Sequence, residues 1–246
     1  MLNRENNRSK NELRPVKITR NFTSQPAGSV LIELGKTCVV CTASIVEEVP
    51  RWCKGLGHGW LTAEYSMLPA STSSRLDRES IRGRPSGRTQ EISRLIGRAL
   101  RTCINLYTLG NNTIIIDCDV LQADGSTRTA SITGSYVALC DAISYMTKSN
   151  KIILCPEPPL FSIAAVSAGI INGNIYIDLS YEEDLRADVD VNIVFNENLN
   201  LVEIQGTSEG FTLSRNLLNN ILDNALNTCK DLFTIQYKAL HSVYKI

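Results

Sequence analysis

Alternating apolar and polar positions open the chain. Val16–Phe22, Ser29–Leu34 and Cys38–Ile45 each change character at every second residue. That period belongs to strands buried on one face. Gly35-Lys36 supplies a hairpin turn between the last two. The pattern lapses over Glu47–Arg88, where Gly, Pro and Ser recur and only Trp60–Tyr65 is strand-like. Such a stretch reads as an extended loop region, and long loops in compact domains carry function. From 89 to 105 the period lengthens: Ile92, Leu95, Ile96, Ala99, Leu100, Cys103 and Ile104 form one helical face. Thr113–Val120 reads as a β-branched strand, and Thr129–Met146 as a helix whose small residues suit close packing on a sheet. Pro156, Pro158 and Pro159 then punctuate the chain. Strand patterns follow at Phe161–Ile170, Asn174–Leu179, Asp190–Phe195 and Leu201–Thr207, with an Asn172-Gly173 turn, before a last helix over Leu213–Phe233.

This order predicts an α+β protein with helices covering mixed sheets. Each half starts with a hairpin and runs on to a helix packed on a sheet, a weak internal duplication. Residues 1–246 are expected to form a single domain. Residues 1–13 are polar and charged and read as a mobile arm or an edge element.

Composition narrows the class little. Of 246 residues, 43% are apolar and 20% charged, which excludes collagen-like and low-complexity chains. Lys plus Arg and Asp plus Glu both number 25, so the net charge is zero and a globally basic nucleic-acid binder is not indicated. Locally the charge is uneven. Eight arginines (75, 78, 82, 84, 88, 94, 98, 101) face only Asp77, Glu79 and Glu91, whereas six acids (Asp178, Glu182, Glu183, Asp184, Asp188, Asp190) face only Arg186. Arginine-only clusters suit planar recognition of phosphate or carboxylate, and equally suit an ion-paired surface.

The eight cysteines lie mostly in apolar runs and read as reduced core residues. Cys38 and Cys41, three apart on a strand, should point to opposite faces, which disfavours a redox or zinc pair. Only His58 and His241 are available as imidazole bases, and neither has a catalytic setting. The first residues carry no apolar signal region, and no run approaches the roughly 18 apolar residues of a membrane span. A cytosolic protein, with no membrane partner, is expected.

Three segments carry candidate chemistry. Gly87-Arg88-Thr89 starts the first helix, with Thr89 as a candidate cap, and Asp124-Gly125-Ser126-Thr127-Arg128-Thr129 opens the second. Helix N-termini attract anions through unpaired N–H groups, and hydroxyls beside them complete an oxyanion nest. Two such starts, each with an arginine, would converge on one phosphate. The bland alternatives are a surface arginine and a capped turn. Third, the acidic connection Tyr181–Asp190 suits Mg²⁺ or Mn²⁺, which prefer oxygen ligands, or is simply a solvated loop. Together the three point to phosphoryl or nucleotidyl transfer, chemistry made mostly of positioning and charge neutralisation.

The motifs GWLTAEYSMLP (59–69), GRTQEISRLIGRALR (87–101), DCDVLQADGSTRTASITG (117–134), YEEDLRADVDVNIV (181–194) and EIQGTSEG (203–210) resemble the ribonuclease PH family. So do LRPVKITRNF and GSVLIELGKTCVVCTASI, and the resemblance runs from about residue 8 to 240. It implies the ribonuclease PH fold, with duplicated β-β-α-β-α-like halves, and phosphorolytic 3′→5′ trimming of tRNA precursors and other RNA 3′ ends. Inorganic phosphate would be the co-substrate and nucleoside diphosphates the products. Arg88, Ser126, Thr127 and Arg128 would hold the phosphate. Asp184 and Asp190 would be the catalytic acids, holding a divalent metal or positioning the leaving 3′-hydroxyl, with Asp188 and Asp178 weaker candidates. Arg75 and Arg78 would contact RNA. The assembly implied is a homohexamer, a trimer of dimers. Ser126 stands where members usually have Gly, and Ala70 where many have Arg. The alternatives are an inactive RNA-binding ring subunit and a metal-dependent hydrolytic exonuclease.

Overall fold

The computed structural model describes residues 4–151, 160–209 and 212–242. The proline-punctuated stretch around residue 157 lies outside the described residues. Among the described residues nine strands form two sheets. The first has five strands in the order β1-β2-β3-β5-β4: β1 (Val16–Arg20), β2 (Gly28–Leu34), β3 (Thr37–Val46), β4 (Trp60–Met67) and β5 (Thr113–Gln122). The second has four, ordered β7-β6-β8-β9: β6 (Ile163–Ile171), β7 (Asn174–Ile177), β8 (Val189–Asn196) and β9 (Leu201–Ser208). All second-sheet pairings are antiparallel. In the first sheet β4 and β5 pair in parallel, joined through helix α1 (Gly87–Thr102). Three further helices are α2 (Thr127–Lys148), the four-residue α3 (Tyr181–Asp184) and α4 (Arg215–His241). The α+β expectation holds. Each half lays helices on a sheet, although strand number and order differ between them.

The period-two runs became strands because one side of each is apolar. In β3, Thr37, Val39, Cys41 and Ala43 are buried while their neighbours are half-exposed. Cys41 thus faces the core and Cys38 the opposite side, as the spacing predicts, and all seven described cysteines are free. Helix α2 is buried along most of its length and touches β2, β3 and β6, so it lies between the sheets. That close approach needs Gly134, where a Cβ would sit 2.8 Å from the Ile32 side chain and 3.0 Å from Cys41 Sγ.

The polar N-terminus corrects an expectation. From Arg4 onward it is no mobile arm. Arg4, Arg8 and Arg14 are each under 9% exposed and pair with Asp178 and Glu183, on the connection from β7 through α3. Arg4 donates to both Glu183 oxygens (2.8 and 2.9 Å) and to the carbonyls of Ile177 and Asp178. Buried charges persist only when paired and hydrogen-bonded, and here both signs are supplied by distant segments.

Candidate active site

The first sheet delivers the loop 123–126 from the end of β5 to the start of α2. Thr37 fixes it from β3: its hydroxyl donates to the Gly125 carbonyl (2.7 Å) and accepts from the Asp124 N–H (2.9 Å). Gly125 has φ +72°, and a Cβ there would lie 2.4 Å from the Leu179 carbonyl oxygen. Only glycine permits both the turn and this approach. Ser126 follows, also left-handed at φ 55°, and no side chain caps α2. The first-turn N–H groups and their positive partial charge are left for an anion.

The three hydroxyls of this loop have different fates. Ser126 Oγ lies 2.8 Å from Ser167 Oγ and 3.0 Å from Arg14 Nη2, and donates toward Asp178 and the Leu179 carbonyl. It therefore faces the buried ion network, which leaves its backbone N–H as its contribution to an anion site. Thr129 donates to the Ser126 carbonyl (3.0 Å). Thr127 accepts from Tyr65 Oη at 2.9 Å.

The two arginines differ as well. Arg88 lies in the first turn of α1, exposed, with no hydrogen bond or ion pair among the described residues. Ser86, rather than Thr89, caps this helix by accepting from the Thr89 N–H (3.1 Å), while the Thr89 hydroxyl donates to Glu79 (2.7 Å). Arg128 is held. Its Nη1 donates to Gln205 Oε1 (2.6 Å), its Nη2 lies 3.5 Å from Glu91, and Gln205 Nε2 donates back to Glu91 (2.8 Å). Gln205 on β9 and Glu91 on α1 were not singled out from the sequence. Their signal was there: both sit inside family-like motifs, and both types can bond a guanidinium.

The acids sort into two groups. Asp178 and Glu183 belong to the buried ion network. Burial pushes both carboxyls up, but the arginines outweigh it and hold both below the usual range, Arg14 leading for Asp178 and Arg4 for Glu183. Asp184, next along α3, is exposed, and Asp190 is half-buried at the second position of β8, between Gly169 and Thr207. Burial, then the charge of Asp184, raises the Asp190 carboxyl to about 6, opposed by Arg128 and Arg88. Burial also raises Asp184, again opposed by Arg88 and Arg128. The structure thus brings Arg88, Arg128, Asp184 and Asp190 into one electrostatic neighbourhood, from both sheets. Asp188 is exposed and adds no such coupling to either acid.

The loop 123–126 and the acidic helix are tied directly: the Tyr181 N–H donates to Asp124 Oδ1 (3.2 Å). The arginine-bearing loop also roots here, through the Ala123 N–H donating to the Ser71 carbonyl (2.8 Å). Arg75 and Arg78 are exposed on that loop, and Arg75 lies 3.6 Å from Asp77. Neither touches the four-residue cluster. Arg98 and Arg101 serve packing, bonding Glu203 on β9 and stacking over Trp60 respectively.

Residues 12–143 match the model of domain 1 of the 3′ exoribonuclease family, and residues 162–228 that of domain 2. Over 244 residues the chain is 60% identical to Ribonuclease PH of Mycobacterium sp. (strain KMS), covering 99% of this chain and 94% of that protein. The chain belongs to the ribonuclease PH family. Ribonuclease PH of Mycobacterium tuberculosis (strain CDC 1551 / Oshkosh) is 61% identical over the same coverage. Among solved structures, rice (Oryza sativa) Rrp46 superposes with a TM-score of 0.79 at 18% identity, covering 97% of this chain and all of that one. The Archaeoglobus fulgidus exosome with RNA bound to the active site gives 0.77 at 21% identity, covering 94% and 91%. These two show the shared fold. As a ribonuclease PH family member the protein is a phosphorolytic 3′→5′ exoribonuclease, a nucleotidyltransferase that uses inorganic phosphate on RNA. Phosphorolysis stands above the inactive-subunit and hydrolytic alternatives. No helix among the described residues is long and apolar enough to cross a membrane.

Proposed function

We propose that the attacking phosphate sits between Arg88, Arg128, the Thr127 hydroxyl and the N–H groups that open α2. The observation that carries this reading is the shared field: two arginines and two carboxylates from both sheets act on one another across one site. Phosphate attack on a phosphodiester joins two anions, so cations and N–H dipoles must already be in place. A phosphate oxygen attacks the 3′-terminal phosphorus, the bond to the penultimate 3′-oxygen breaks, and that oxygen leaves as a hydroxyl after gaining a proton. A nucleoside diphosphate departs. One diphosphate ester replaces one phosphodiester, so the reaction also runs backwards from nucleoside diphosphates.

Asp184 and Asp190 fit a Mg²⁺ or Mn²⁺ ion. They are two oxygen donors, one half-buried, whose mutual repulsion raises the Asp190 carboxyl. Among the described residues no third carboxylate, histidine or cysteine completes a set with them. Mg²⁺ commonly takes one or two carboxylates and completes its shell with water and substrate phosphate. Asp184 and Asp190 would hold the ion, which would supply charge neutralisation to the phosphates. The carboxylates also stand where they would orient the 3′-hydroxyl.

Arg75 and Arg78 would grip the RNA backbone near the entrance, on a loop rooted beside the phosphate loop. The substrate assigned is the 3′ end of tRNA precursors, with other RNA 3′ ends accepted. The assembly assigned is a homohexameric trimer of dimers in the cytoplasm, where several such loops would gather on one RNA although each subunit is neutral overall. Calorimetric titration of inorganic phosphate tests the central assignment: Arg128→Ala should remove the binding seen with the unaltered protein, and retained binding would move the site elsewhere.

A further inference from the structure

Among the described residues, Tyr65 carries the one buried phenol that bonds a hydroxyl at the start of α2. On β4 it is the third buried residue of the inward face, after Leu61 and Ala63 and before the partly buried Met67, and is only 4% exposed. Because β4 runs parallel to β5, with Tyr65 opposite Cys118, its ring extends toward the end of the sheet where the anion loop begins. A buried phenol hydroxyl is costly unless bonded, so a core position of this kind favours Phe where no partner exists. Here the partner is the Thr127 hydroxyl, at 2.9 Å, with the phenol donating.

That direction has a consequence. A threonine hydroxyl has one proton and two lone pairs. Thr127 uses a lone pair on Tyr65, and its own proton has no acceptor among the described residues. Its neighbours differ: Thr129 spends its proton on the Ser126 carbonyl, and Ser126 spends its own on the ion network. One hydroxyl of the three is therefore both at the helix start and free to donate. Burial, only partly offset by the bond to Thr127 and by the two arginines, raises the Tyr65 hydroxyl, so the phenol keeps its donor proton at working pH.

We infer that Tyr65 is a positioning residue of phosphorolysis, orienting the Thr127 hydroxyl so that its proton points at the attacking phosphate. The inference rests on the phosphate assignment of Thr127. An unoriented hydroxyl would rotate and present a lone pair to the anion for part of the time. Fixing its polarity removes that repulsive arrangement before phosphate arrives.

The test is a double-mutant cycle on the full chain, with KM for inorganic phosphate and KM for RNA measured separately. Tyr65→Phe deletes one oxygen and keeps the packed ring. It should raise KM for phosphate about five- to tenfold, with KM for RNA within twofold. Thr127→Val should raise KM for phosphate by at least as much. Tyr65→Phe added to Thr127→Val should bring no further rise. If Thr127→Val alone raises KM and Tyr65→Phe does not, or if the two effects multiply, Tyr65 is structural and the inference falls while the phosphate site stands. If Thr127→Val leaves KM for phosphate unchanged, the site assignment fails and the inference with it. A melting temperature for each variant separates lost packing from lost orientation.

Discussion

Arg14 and Asp178 are 164 residues apart and share three hydrogen bonds: Arg14 N to Oδ2 at 2.7 Å, Nε to Oδ2 at 3.0 Å and Nη2 to Oδ1 at 2.6 Å. The same guanidinium donates to the carbonyl of Asp124 and reaches Ser126 Oγ. One side chain thus fastens the phosphate loop to the segment that leads into Asp184. Removing one partner of a buried, hydrogen-bonded pair leaves the other charge stranded, at a cost of about 3–5 kcal/mol. Asp178→Asn should lose stability on that scale, read as a lower urea midpoint at neutral pH. An unchanged midpoint would mean that the network does not hold the fold.

The same pair sets an acid limit. Asp178 and Glu183 both sit below their ordinary values of 3.8 and 4.5. A depressed carboxyl contributes stability that is complete above its unfolded value and is lost as pH falls through its folded one. Stability should therefore hold from neutrality to about pH 5 and then fall increasingly steeply below about pH 4.5. Asp178→Asn should show a flatter acid limb. Parallel curves for the two proteins would rule out this source of acid sensitivity.

Arg88 and Arg128 should both be essential and yet differ in what their loss does to the fold. Either change to alanine should lower phosphate-dependent turnover at least 100-fold, the scale of losing one preorganised charge donor. Among the described residues Arg88 makes no hydrogen bond or ion pair, so Arg88→Ala should leave the melting temperature unchanged. Arg128→Ala breaks contacts with Gln205 and Glu91 and should cost about 1 kcal/mol. Turnover at the unaltered rate in either purified variant would remove that residue from the site.

Ser126 lies in the loop proposed to bind phosphate, but its hydroxyl is engaged in the buried ion network. Ser126→Ala should cost about 1 kcal/mol of stability through the lost network contacts. It should change KM for phosphate less than Thr127→Val does. The reverse order would place the hydroxyl on the phosphate after all.

Asp184 and Asp190 should govern metal dependence. Chelation should stop turnover, with Mg²⁺ or Mn²⁺ restoring it, and Asp190→Asn should raise the Mg²⁺ concentration needed for half-maximal rate by about tenfold or more, the penalty of losing a charged ligand. Full activity after exhaustive chelation would leave the carboxylates with substrate orientation alone.

Much of this was legible in the chain itself. Strands and helices announced themselves because each buries one face, and the period of apolar residues records that directly. Of the helix starts, both were located, since glycine, hydroxyls and arginine are local signals. Partnerships across the fold were not. Arg4 and Arg8 fell in a stretch that read as a mobile arm or an edge element because nothing nearby in sequence pairs with them; their acids, like that of Arg14, lie about 160–180 residues away. For the same reason the acidic connection Tyr181–Asp190 read equally as a metal site or a solvated loop, whereas burial with the arginines sets Asp178 and Glu183 apart from Asp184 and Asp190. Ser126 looked like a phosphate hydroxyl until its left-handed backbone turned it into the ion network. Tyr65, Glu91 and Gln205 sit inside family-like motifs, but only folding shows their role, because a core tyrosine and two half-buried polar residues acquire it through what is set beside them.

The most direct test of the account is the identity of the product. The purified protein would be incubated with Mg²⁺ and a tRNA bearing a labelled 3′ extension, with and without inorganic phosphate. Phosphorolysis predicts labelled nucleoside diphosphate, formed only when phosphate is present. Nucleoside monophosphate in both samples, or RNA left intact in both, would contradict it.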